Sequence, residues 1–170
     1  MSTTQPPPRT RELSAWQRLL ESFAKTKLGG AYFVHVGQRV DPPLLKLTGG
    51  RFSTAIGRRV GLLVHTGAKS GARRETPLLY LQDGENVVLV ASKAGAVRHP
   101  AWFHNLVAHP ECEFFAPGLT GRYVAREAEG EERERLWAQA NDYYAGYDTY
   151  QGRAGERRIP VMILSPVASG

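Results

Sequence analysis

Residues Thr76–Ser92 read TPLLYLQDGENVVLVAS. An apolar run, Thr76–Gln82, meets Asp83-Gly84, and a second apolar run, Val87–Ser92, follows. Two β-prone runs joined by Asp-Gly are the signature of a β-hairpin. The same grammar extends in both directions. Upstream, Val60–Thr66 is a strand candidate. Downstream, Cys112–Phe115 and Arg122–Arg126 flank Pro117-Gly118-Leu119-Thr120-Gly121 and read as a second hairpin. Ile159–Leu164 reads as a final strand.

Two helices are expected between these strands. One spans Pro100–Ala108, with proline in its first turn. The other begins near Glu131 in an acidic turn that suits the helix dipole, with Leu136, Ala140 and Tyr143 or Tyr144 as its apolar residues. The pattern predicts a mainly β, α+β fold: a six-stranded, mostly antiparallel split β-barrel with flanking helices. An open α+β sandwich is the alternative.

Before the hairpins, residues 1–12 contain Pro6-Pro7-Pro8 and read as a mobile tail. Leu13, Trp16, Leu20 and Phe23 then fall on one helical face. The expected organisation is that tail followed by a single domain over 13–170, beginning with an N-terminal helix. Residues 29–57 give no clear element, because Pro42-Pro43 and Gly49-Gly50 break the pattern. The 170 residues suit one domain, and 42% hydrophobic residues suit a packed core.

Charge is uneven along the chain. Residues 1–80 hold 13 Lys and Arg against 4 Asp and Glu, a net +9. Residues 81–170 hold 9 against 12, a net −3. Such a skew suits an anionic partner, whether nucleic acid, an acidic membrane surface or a phosphorylated cofactor. Cys112 is the sole cysteine, which excludes an intrachain disulfide and suits a reducing compartment. Arg9 and Arg11 precede a patterned helix rather than an apolar stretch, so no signal peptide is expected. A cytoplasmic setting is expected, with the N-terminal helix a candidate for peripheral membrane contact. His99, His104 and His109 are spaced five apart, which spreads them about 140° on a helix, so no metal site is expected. Nucleophile patterns such as GxSxG are missing too.

Three segments carry candidate chemistry. Thr66–Pro77 brackets Lys69 and Ser70 between Gly67 and Gly71, with Arg73 and Arg74 close behind. Backbone N–H groups, a hydroxyl and cations gathered on a turn suit a phosphate or carboxylate. Val90-Ala91-Ser92-Lys93-Ala94-Gly95 offers small residues at a strand end, against which a planar ring can lie. His99–Asn105 follows and opens a helix. Finally, Tyr144, Tyr147 and Tyr150 are spaced three apart, which lines phenols along one side of a helix or helical turn. Each segment also has a plain structural explanation: a solvated basic hairpin, an ordinary strand–loop–helix joint, and a packed aromatic stripe.

Together and in this order, these segments resemble the deazaflavin-dependent nitroreductase family of the FMN-binding split-barrel superfamily. The resemblance rests on Gly67–Pro77, Ala91-Ser92-Lys93, His99–Asn105, the tyrosine series and Arg158-Ile159-Pro160-Val161, and it runs from about Leu44 to Pro166. It implies coenzyme F420 as cofactor, with FMN as the alternative. It implies Lys69, Ser70 and Arg74 at the cofactor's anionic arm, with Arg73, Thr76 and Pro77 also counted as cofactor-binding. Val90, Ala91, Ser92 and Lys93, with Ala101, Trp102, Phe103, His104 and Asn105, would line the deazaflavin. Tyr147 would be the proton donor, with Ser92 assisting, and Tyr144, Tyr147 and Tyr150 would face the substrate. The family often carries a basic residue where this chain has Ala68, and Arg73 is the candidate to compensate. The activity implied is hydride transfer from F420H2 to an electron-poor quinone, nitroaromatic or activated enone. The alternatives are an FMN- or haem-binding split-barrel protein, and a basic module for nucleic acid or membrane.

Overall fold

The computed structural model describes Pro42, Pro43, Leu45 and residues 59–167. The expected tail and N-terminal helix lie outside the described residues. The chain order is β1 (Val60–Thr66), β2 (Arg73–Leu79), β3 (Leu81–Asp83), β4 (Asn86–Val90), α1 (Ala101–Ala108), β5 (Glu111–Phe115), β6 (Gly121–Glu127), α2 (Gly130–Tyr143), α3 (Gly146–Arg153) and β7 (Val161–Pro166). All seven strands join one antiparallel sheet in the order β2-β1-β5-β6-β7-β4-β3.

The strand count is seven rather than six, and Tyr80 is the reason. The expected strand Thr76–Gln82 changes partners there. Residues through Leu79 pair with β1, and residues from Leu81 pair with β4. β2 and β3 are the two edges of the sheet, yet a single residue separates them. Two Cα–Cα steps span at most roughly 7 Å, so the adjoining ends of the two edges lie close together and the sheet curls into a half-barrel. Pro77, which has no N–H to donate, sits on edge strand β2, where it is tolerated.

Strand alternation sorts side chains between the barrel's inside and outside. Leu63, Val87, Leu89, Phe114, Tyr123, Met162 and Leu164 fill the main core. Gly61 lies under the Phe114 ring, which a Cβ there would strike. Trp102, Phe103 and Leu106 of α1 join the same core, each no more than 8% exposed. Burial of each such side chain contributes about 1.5–3 kcal/mol.

The outer faces are covered by other elements. Leu136 of α2 packs on Val88, Val161 and Ile163. Leu45 packs with Val60, Leu62 and Val64 on the outside of β1. Bidentate pairs lock α2 in place. Arg135 grips Asp83 at 2.9 and 2.8 Å, and Arg126 grips Glu132 at 2.7 and 2.8 Å. The tyrosine series, open in the sequence between a helix and a helical turn, falls mostly on the separate helix α3. Gly146 permits it to start where it does, because a side chain there would collide with the Tyr144 ring. Among the described residues no helix is long and apolar enough to cross a membrane.

Candidate functional site

The loop between β1 and β2 is a tight, cationic turn. The Gly67 N–H donates to the Ala72 carbonyl (2.9 Å), and the Gly71 N–H donates to the Gly67 carbonyl (2.8 Å). Gly71 has φ +64°, which glycine tolerates. A Cβ on Gly67 would lie 2.6 Å from Ser70 Oγ and 2.9 Å from Arg74 Nε. Ser70 and Arg74 therefore converge above a position that only glycine leaves open. Lys69, Ser70 and Arg74 are exposed, and among the described residues no carboxylate pairs with Lys69 or Arg74. Arg73 behaves differently: it bonds Glu75 at 2.6 Å and Glu113 at 3.5 Å. Strand alternation explains this, since Arg73 and Glu75 share one face and Arg74 and Thr76 the other.

A buried polar chain holds the loop in place. The Ala68 N–H donates to Asn105 Oδ1 at 2.9 Å. That bond fixes the amide, so Asn105 Nδ2 is the donor to His65 Nδ1 at 3.1 Å. His65 Nδ1 therefore accepts, and Nε2 carries the proton that it donates to Thr76 Oγ1 at 3.0 Å. Burial, helped by the nearby Arg74 charge, lowers the His65 pKa from 6.5 to about 4. Asn105 and Thr76, read from the sequence as cofactor contacts, also link the loop to α1 through His65. His65 was not singled out in the sequence, where it reads as one more residue of an apolar strand.

The other end of α1 meets a strained turn. Lys93, Ala94 and Gly95 have φ values of 48°, 53° and 79°. Left-handed backbone at non-glycine residues costs on the order of 1 kcal/mol or more each and clusters at functional sites. Gly95 is required, since a Cβ there would lie 2.8 Å from the Tyr150 carbonyl and from Arg153 Cβ. Arg157 bonds this turn's carbonyls and His99 Nδ1. Desolvation lowers the pKa of Arg157, and burial together with the Arg157 and His104 charges lowers that of His99. Ala91 points into the barrel, whereas Val90 faces outward onto the tyrosines. Ser92 is half-buried and Lys93 exposed. Neither Arg157 nor His65 belongs to a recognisable local motif; their partners lie 58–66 and 11–40 residues away.

Side chains connect the two ends of α1. His104 is exposed and stands 5.7 Å from His99, ring to ring, and 5.5 Å from Phe103. Phe103 also packs on His99 at 4.8 Å. Ala101 is exposed beside them, whereas Trp102 and Phe103 are spent mostly on the core. The cationic loop is thus tied to α1 through Ala68 and Asn105, and the strained turn through Arg157 and His99, with His104 beside His99.

The tyrosines form a third group. Tyr144, Tyr147 and Tyr150 are buried with Val90, Ala140, Ala154 and Ile159. The hydroxyls of Tyr144 and Tyr150 lie 2.9 Å apart. The Tyr147 ring stands edge-on to Tyr144 at 5.2 Å and to Tyr150 at 6.4 Å. Gly95 touches Tyr150, so this cluster backs directly onto the strained turn.

The donor set suits a ligand with an anionic arm and a flat polar ring. Cations over an open glycine fit the arm, and small residues beside the tyrosines fit the ring. Comparison with known proteins agrees with that chemistry. The family model for F420H(2)-dependent quinone reductases matches residues 39–166. An F420H(2)-dependent quinone reductase of Mycobacterium tuberculosis is 38% identical over 141 residues, covering 77% of this chain and 93% of the relative. The solved structure of an F420-H2 dependent reductase, FDR-A, is 38% identical with a TM-score of 0.56, covering 62% of this chain and 93% of its own. A structure described as a domain-swapped dimer is 33% identical with a TM-score of 0.60, covering 75% and 97%.

Proposed function

This chain belongs to the F420H(2)-dependent quinone reductase family, and on that premise we propose that it reduces a quinone with F420H2. Nitroaromatics and activated enones share the electron-poor character that the reaction needs. When bound, the deazaflavin supplies the hydride; the protein supplies binding, orientation and a proton.

The observation that carries the proposal is the attachment of both the cationic loop and the strained turn to α1 and its entry, through Ala68–Asn105 and Arg157–His99. Lys69, Ser70 and Arg74 hold the cofactor's phosphate and carboxylate arm. They act at a distance from the reacting atoms, so they govern affinity more than rate. Ser92 and Lys93 border the ring, and the Ser92 hydroxyl orients the substrate. His104 and Ala101 cover the path between arm and ring. Arg73 is neutralised by Glu75 and Glu113 and adds little to the arm.

Tyr147 donates the proton that completes reduction. Its ring is buried against those of Tyr144 and Tyr150, whose hydroxyls bond each other at 2.9 Å, so this cluster must open for a substrate to reach it. No charged nucleophile is required of the protein.

Fluorescence titration with F420 and with FMN tests this reading. F420 should bind, and F420H2 should be oxidised when a quinone is added. Tight FMN binding with no F420 binding would overturn it.

A further inference from the structure

Arg157 joins no ion pair among the described residues, yet it is half-buried and richly bonded. Nε donates to the Ala96 carbonyl at 2.8 Å. Nη1 donates to the Ala91 carbonyl and to His99 Nδ1, each at 3.1 Å. Nη2 donates to the Ser92 carbonyl at 2.7 Å. Four N–H donors thus reach four neutral acceptors. A planar guanidinium can do this at once, whereas an ammonium cannot.

The acceptors are not scattered. Ala91 and Ser92 precede the left-handed residues Lys93, Ala94 and Gly95, and Ala96 follows them. Arg157 therefore staples both ends of the strained turn. Its bond to His99 ties the same turn to the entry of α1. Within the turn, the Gly95 N–H donates to the Ser92 carbonyl at 3.0 Å and the Ala96 N–H to the Lys93 carbonyl at 3.1 Å, while the Ala91 and Ser92 N–H groups bond the Pro160 and Val90 carbonyls.

We infer that Arg157 is a positioning residue that holds residues 91–96 in the shape that receives the cofactor ring, before any ligand arrives. This rests on the cofactor reading above. Arg157 acts through Ser92 and Lys93. Its loss lets the turn relax, so a smaller fraction of the protein is ready to bind.

The full chain, Arg157→Ala and Arg157→Lys are compared first without ligand. Hydrogen exchange across residues 91–96 and tryptic cutting after Lys93 should both speed up by about tenfold in the variants. Exchange in β5 and β6 should not change. If the turn is competent a tenth of the time, the dissociation constant for F420 rises about tenfold. Millimolar guanidinium added to Arg157→Ala should recover part of that affinity, and Arg157→Lys should stay defective. Unchanged exchange at the turn, or F420 affinity within about twofold of the parent, would overturn the inference. Faster exchange everywhere would also overturn it, since the arginine would then be supporting the whole fold. A parent protein that ignores F420 would refute the cofactor reading and the ring-positioning role with it, whereas an unaffected turn would refute this inference alone.

Discussion

Acidification should destabilise this protein chiefly through the buried imidazole of His65. His65 is 4% exposed, and its pKa is lowered to about 4 from the ordinary 6.5. Between those values the unfolded chain binds a proton that the folded chain refuses. Stability must therefore fall as pH drops below about 6.5, and the loss is nearly complete by about 4. With 1.36 kcal/mol per pKa unit, the loss is about 2 kcal/mol at pH 5 and about 3 kcal/mol at pH 4. The structure supplies the reason. A proton on Nδ1 would face the amide N–H of Asn105, and turning that amide would take its oxygen from the Ala68 N–H. The penalty thus reaches the cationic loop as well as the core. Urea unfolding of the parent and of His65→Gln at pH 7 and pH 5 isolates the effect, because other titrating groups cancel in the difference. The parent's midpoint should fall by roughly 1 M more than the variant's, for a slope near 2 kcal/mol/M. Equal pH dependence in the two proteins would refute the argument. An NMR titration of the ring nitrogens gives an independent check, since it should show Nε2 protonated at neutral pH.

Other outcomes follow from the same geometry. Lys69→Ala should raise the F420 dissociation constant about three- to tenfold and leave kcat within about twofold, measured by titration and steady-state kinetics. Tyr147→Phe should do the opposite, lowering kcat by at least about tenfold while F420 affinity holds. Gly95→Ala should cost at least about 2 kcal/mol, because the turn needs a positive φ and the new Cβ meets Tyr150 and Arg153. A calorimetric melting temperature about 4–8 °C lower would record it.

Local signals made much of the barrel legible. Asp83-Gly84 and the flanking apolar runs located β4 and its hairpin, and Pro117–Gly121 located the turn between β5 and β6. Pro100 and the acidic turn near Glu131 located α1 and α2. What failed locally was the strand Thr76–Gln82. Its apolar pattern runs on without a break, and the change of partner at Tyr80 depends on where β1 and β4 stand in space. The short helix α3 was only half legible for a similar reason, as its tyrosines read equally well as a series on a turn.

The candidate site divides along the same line. The sequence by itself determined which residue types are available: glycines around Lys69 and Ser70, small residues after β4, and a tyrosine series. Those choices are local, set by what a turn or strand end can accommodate. Tertiary structure decided which partners each member meets. It added Glu113 to the Arg73–Glu75 pair, linked Asn105 and Thr76 through His65, and buried Trp102, Phe103 and the three tyrosines. It also brought forward His65 and Arg157, whose partners lie far away along the chain. Hydrogen bonds and desolvation depend on distance in space, and spacing along the chain carries no record of either.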